Sequence, residues 1–116
     1  MSVADPVEIE VEVTLAPGTT APRTPLILHV SVEDTGTADA PSRTVAHACL
    51  PRTRLDHPPY PRVRLTFPVP PPGSRYTVRA HADHDGSGTI TPGDWITKKS
   101  HPATPPHVTV ELSPVP

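Results

Sequence analysis

Apolar and polar side chains alternate in short bursts along this chain, and that two-residue period predicts β-strands. Residues 7–15 set Val7, Ile9, Val11, Val13 and Leu15 on one face against Glu8, Glu10, Glu12 and Thr14 on the other. Residues 26–33 set Leu26, Leu28, Val30 and Val32 against Ile27, His29, Ser31 and Glu33. The stretch 44–50 predicts a third strand, and 63–69 a fourth in which Val63, Leu65, Phe67 and Val69 face inward. Residues 75–82 alternate Tyr76, Val78, Ala80 and Ala82 with Arg75, Thr77, Arg79 and His81. A short sixth strand over 95–98 and a seventh over 107–112, with Val108, Val110 and Leu112 inward, complete the set. Proline or glycine punctuates nearly every gap, at the spacing of a sandwich. The pattern predicts one all-β domain over residues 1–116, an immunoglobulin-like antiparallel β-sandwich of about seven short strands with no long helix. Its ends, 1–6 and 113–116, are expected to fray.

Nineteen prolines against six glycines reinforce this picture, because proline is excluded from helix interiors and lacks a donor for a strand ladder. Pro68 and the run Pro70-Pro71-Pro72-Gly73 place the end of the fourth strand at a sheet edge. The rings Tyr60, Phe67, Tyr76 and Trp95 are few, so the core must be built from Val, Leu, Ile and Ala. The three glutamates of the first strand would repel an acidic neighbour, so that face is expected to meet solvent or basic partners.

One segment carries candidate chemistry. Residues 83–94 read Asp-His-Asp-Gly-Ser-Gly-Thr-Ile-Thr-Pro-Gly-Asp. Counted as a twelve-position loop, they place Asp83, Asp85, Ser87, Thr89 and Asp94 at the ligand positions 1, 3, 5, 7 and 12 of an EF-hand calcium loop. Asp83, Asp85, Ser87 and Asp94 would supply side-chain oxygens, Thr89 a backbone carbonyl, and Thr91 a direct or water-mediated contact. Gly88 stands where the chain must turn sharply, and Ile90 at the apolar position. Asp94 is one methylene shorter than the usual bidentate glutamate, and the flanks have strand rather than helix periodicity. Asp-Gly and Ser-Gly are equally what a plain hairpin turn needs. The reading is therefore an interaction module with a calcium-binding loop between strands, or a metal-free domain in which 83–94 is only a turn.

Other chemistry is thin. The formal charge of −2, from 10 basic and 12 acidic residues, leaves no basic stripe for nucleic acid. The seven histidines look scattered, with no His-x-His pair in one strand, and surface roles are expected for each. Cys49 is the lone cysteine and is expected to be a small buried residue, although His47 shares its strand face and leaves a Cys-His pair open. Asp83, His84 and Asp85 with His81 could form an acid/base cluster, but no nucleophile and no catalytic motif accompanies them, so an enzyme is not expected. No signal segment, lipobox cysteine or membrane-spanning stretch is visible, which reads as a cytoplasmic protein unless a leader has been removed. An exposed edge strand could pair two copies.

The chain resembles the YbaY/YscW-like family of small bacterial β-sandwich domains, which includes lipoproteins and type III secretion pilotins. The resemblance runs through Thr14-Leu15-Ala16-Pro17-Gly18, Leu28-His29-Val30-Ser31-Val32-Glu33-Asp34 and Ala38-Asp39-Ala40. It continues through Phe67-Pro68-Val69, Tyr76-Thr77-Val78-Arg79-Ala80, Asp85-Gly86, Asp94 and Val108-Thr109-Val110-Glu111-Leu112. It implies a sandwich fold and a non-enzymatic role in assembly, secretion or envelope function with an unidentified protein partner. The family needs only a simple Asp-Gly turn where this chain has the longer oxygen-rich loop.

Overall fold

The computed structural model describes residues 5–36 and 42–116. Among these residues seven strands form: β1 (Val7–Leu15), β2 (Leu26–Asp34), β3 (Arg43–Thr53), β4 (Arg62–Phe67), β5 (Tyr76–Asp83), β6 (Trp95–Thr97) and β7 (His107–Pro114). The described residues contain no helix, so none is long and apolar enough to cross a membrane. Each strand falls where the two-residue period places it, because alternation buries one face only when the backbone is extended.

The pairing differs from the expected two-layer sandwich. All seven strands hydrogen-bond into one sheet of order β3-β2-β5-β6-β7-β1-β4. The sheet curls until its end strands β3 and β4 approach each other, giving a nearly closed barrel. One pair, β1 with β7, is parallel, so the sheet is not wholly antiparallel and the immunoglobulin-like arrangement is not what the hydrogen bonds show. Sequence periodicity reports which face of a strand is buried, not which strand lies beside it.

The core fills the barrel. Ile9, Val11 and Val13 of β1 meet Leu28, Val30 and Val32 of β2, Val78 of β5, and Val110 and Leu112 of β7, all fully buried. Phe67 and Tyr76 pack edge to face, with ring centroids 5.5 Å apart. The glutamates of β1 face arginines of β4: the Arg62 guanidinium lies 3.0 Å from Glu12, and Arg64 lies 3.9 Å from Glu8. The basic neighbour expected for that acidic face is therefore the adjacent strand.

Three expectations are corrected here. Residues 113–115 do not fray: Ser113 and Pro114 pair with Ile96 and Trp95, and the Val115 amide donates to the Asp94 carbonyl at 2.8 Å. Cys49 is exposed rather than buried, because the face of β3 it shares with His47 points outward. Val69 lies beyond β4 and is exposed. The expected polar loop after β2 lies partly outside the described residues, as do residues 1–4 of the N-terminal end.

Gly36 makes a close backbone approach where the chain leaves β2. A Cβ there would lie 2.7 Å from the Arg75 amide nitrogen and 2.9 Å from the Gly73 carbonyl oxygen. Both neighbours are backbone and have no rotamer by which to yield. Gly36→Ala should therefore lower stability by about 1–3 kcal/mol, read as a lower urea midpoint with unchanged slope.

Candidate functional site

The site is built where β5 ends and β6 begins. Asp83 closes β5 with its side chain buried in the barrel rim. Its carboxylate accepts amide N–H groups from Asp85 at 3.3 Å, Gly86 at 3.1 Å and Gly88 at 2.8 Å. That wrapping needs a left-handed backbone at Gly86 and Gly88, where φ is 71° and 78°. Asp85 accepts from the Ser87 amide at 3.1 Å, and the hydroxyl and amide of Ser87 hold its carboxyl down to about 2.

Asp94 is the hub. It is wholly buried, and one oxygen accepts the His84 amide at 3.0 Å while the His84 ring nitrogen Nδ1 closes on the same oxygen. The other oxygen contacts His81 Nε2 at 2.7 Å and accepts the Thr91 amide at 3.1 Å. Burial pushes this carboxyl up, but the His84 amide, the two imidazoles and the Thr91 amide outweigh it and hold it well below the usual carboxylate range. The same contact with Asp94 raises the His84 imidazole above its ordinary value.

Of the five residues predicted as calcium ligands, the structure brings the three carboxylates together. One ligand atom from each of Asp83, His84, Asp85 and Asp94 lies within 4.8 Å of the others. Ser87 and Thr89 instead bond to each other, the Ser87 hydroxyl donating to the Thr89 carbonyl at 3.1 Å. A bidentate last ligand needs two open oxygens. Both oxygens of Asp94 are already taken by protein donors, so the carboxylates converge on a set of internal hydrogen bonds. Ile90 is 59% exposed rather than packed inside.

Beside the loop, a groove of about 650 Å³ runs over the outer face of β2 and β5. His29, Ser31 and Glu33 of β2 and Arg79 and His81 of β5 form its floor, and residues 96–100 form a wall. Among the described residues its charged side chains are Arg79, Lys98, Lys99 and Glu33, and Lys99 also reaches Glu111 at 3.2 Å. Glu33 already accepts the Ser42 hydroxyl at 3.0 Å and the Thr44 hydroxyl at 2.7 Å.

With this architecture in view, one solved structure matches over nearly the whole chain. The fold is shared with a pilotin. That protein, an alternative pilotin from the type II secretion system of Vibrio cholerae, superposes with a TM-score of 0.69 at 21% identity. The match covers 96% of this chain and 98% of that one. Neither a protein-family model nor a curated protein sequence matches the chain.

Sequence reasoning missed the histidine arrangement. The His29 and His47 rings stack at 5.5 Å between centroids, and His29 and His81 at 6.0 Å. His81 and His84 both converge on Asp94. The outward positions of His29 and His81 were legible in their strands, but their adjacency depends on the β2–β5 register, which pairs these two residues directly.

Proposed function

We propose that this chain is a non-enzymatic protein-interaction domain, an assembly or secretion accessory of the YbaY/YscW-like kind, that receives a partner segment in the groove over β2 and β5. The observation that carries this reading is the full-length likeness to a pilotin of a type II secretion system. The groove adds a place for the contact. Its open form and excess of basic side chains suit an extended, acidic segment of another protein. The loop 83–94 then acts as a staple that fixes the groove wall, in keeping with the internal bonding of Asp83 and Asp94.

The test reverses charge on the groove floor. Arg79 is exposed and outside the core, so Arg79→Glu should leave the melting temperature within about 2 °C of the parent, as expected of a surface change. It should lose the partner that the unaltered domain retains when a photo-crosslinker is placed at Lys99. Equal crosslinking by both proteins would remove the groove from the reading.

Calcium binding is kept as a second reading because the Asp83, Asp85 and Asp94 carboxylates converge. A thermal melt of chelator-stripped protein with and without excess calcium decides it. The stapled-turn reading expects no shift. A rise that Asp85→Ala abolishes would instead establish a calcium site, through the preferential binding of the ion to the folded state.

A further inference from the structure

The groove floor carries an imidazole with a second imidazole bonded to it. His29 of β2 stacks on His47 of β3 at 5.5 Å between centroids, and His29 Nδ1 lies 3.3 Å from His47 Nε2. Such a bond needs an N–H on one facing nitrogen and a lone pair on the other. A first proton taken up by the pair can sit on a nitrogen that faces away, so the bond persists and becomes charge-assisted. A second proton would put N–H groups on both facing nitrogens, and two like charges would then meet with no acceptor between them. The pair therefore accepts one positive charge readily and resists another.

We propose that proton uptake by the His29–His47 pair strengthens the hold of the groove on an acidic partner segment as pH falls below neutrality. This rests on the reading of the groove over β2 and β5 as the partner site. Ser31 lies in register with both His47 and Arg79, so a segment crossing the strands there meets the charged pair and the guanidinium together.

Charged and titratable groups face the pair from each packed element. From β3 comes Cys49, in register with His29. From β5 come His81, in register with His29, then Arg79 and Asp83. Lys98 and Lys99 stand on the groove wall, with Lys99 drawn to Glu111. Glu33 of β2 is held by the Ser42 and Thr44 hydroxyls. His81 is tied to Asp94 at 2.7 Å and keeps its place behind His29. Burial first, then His47 and His81, push the His29 imidazole below its ordinary value against the pull of Asp83, which sets the response on the mildly acid side.

Linkage fixes the sign. An acidic partner that binds the protonated pair better must raise its proton affinity by the same factor. The added affinity is complete below the pKa of the free pair and is lost as pH rises through that of the complex.

The test uses the full chain and an oligo-aspartate peptide, which stays charged well above its carboxyl pKa near about 4. The peptide should bind about two- to fivefold more tightly at about pH 5.5 than at about pH 7.5, the worth of one partly screened charge pair. The double variant His29→Gln with His47→Gln should lose that rise. His107→Gln, which removes an imidazole beside Glu10 and outside the groove, should keep it. In the unaltered chain, peptide should move the His29 and His47 proton resonances to titrate at higher pH. A rise that survives the double variant, or resonances that peptide leaves unmoved, overturns the proposal. Binding that Arg79→Glu weakens but pH does not change overturns the switch alone and leaves the groove standing. Binding absent at both pH values, or indifferent to Arg79→Glu, overturns the groove and the switch together.

Discussion

Asp94→Ala should destabilise the domain by about 3–5 kcal/mol, the scale of removing one partner from a buried, charge-assisted network. The carboxylate is completely buried and is the common acceptor for the His84 and Thr91 amides. Truncation leaves both amides and the His81 ring facing an apolar methyl, in a place water can re-enter only by opening the rim. Asp94→Asn keeps one accepting oxygen but turns an NH₂ toward other donors, so about half of the loss is expected. His84→Ala should cost far less, since its ring is 39% exposed. Urea unfolding of the three variants gives the ranking, and equal stability of Asp94→Ala and the parent would show that the network holds nothing together.

The same carboxylate sets a pH dependence whose sign is fixed. Its folded pKa is depressed, so its contribution is complete above the unfolded value near about 4 and disappears as pH falls through the folded value. The His84 imidazole is shifted the other way. Its contribution is complete below about 6.5 and is lost as pH rises through its raised folded pKa. The Asp94–His84 pair therefore contributes most between about pH 4 and pH 6.5. Unfolding midpoints measured across that range should show a maximum there, flattened in Asp94→Ala.

Phe67→Ala is the second large effect, expected at about 3–5 kcal/mol. Phe67 is among the largest fully buried side chains and is the only phenylalanine in the chain. The core cluster it belongs to is mostly Val, Leu, Ile and Ala, side chains too short to refill the space of a phenyl ring. The edge-to-face contact with Tyr76 is lost as well, worth about 0.5–1.5 kcal/mol within that total. Phe67→Leu should recover more than half of the loss. A Phe67→Ala midpoint within experimental error of the parent would mean that the barrel can collapse around the cavity.

How far the sequence could be read follows from what each pattern encodes. The alternation of Ile9, Val11 and Val13 with the glutamates is a local property of an extended chain, and the buried face is the one it predicts. The closure into one curled sheet is not local. It depends on β1 lying between β4 and β7, for which no residue in 7–15 carries a signal beyond its acidic face. In the loop, the spacing of Asp83, Asp85 and Asp94 suggests calcium ligands, and the structure brings the three carboxylates close together. What the spacing could not foretell is that His81, at an outward position of β5, would turn back onto Asp94 thirteen residues later. For Cys49, small size predicts burial, but the strand decides the face, and this face of β3 points outward.

The parallel pairing of β1 with β7 also bears on synthesis. The Thr14 hydroxyl bonds to the Val110 carbonyl, 96 positions further along the chain. As the polypeptide emerges from a ribosome, β1 can find β4 early, yet its second flank stays bare until β7 has been made. A growing chain carrying an open, strongly apolar strand for that long is a substrate for holding factors and for misassociation with its neighbours on the same messenger. The alternating glutamates of β1 put charge beside that bare flank throughout the wait.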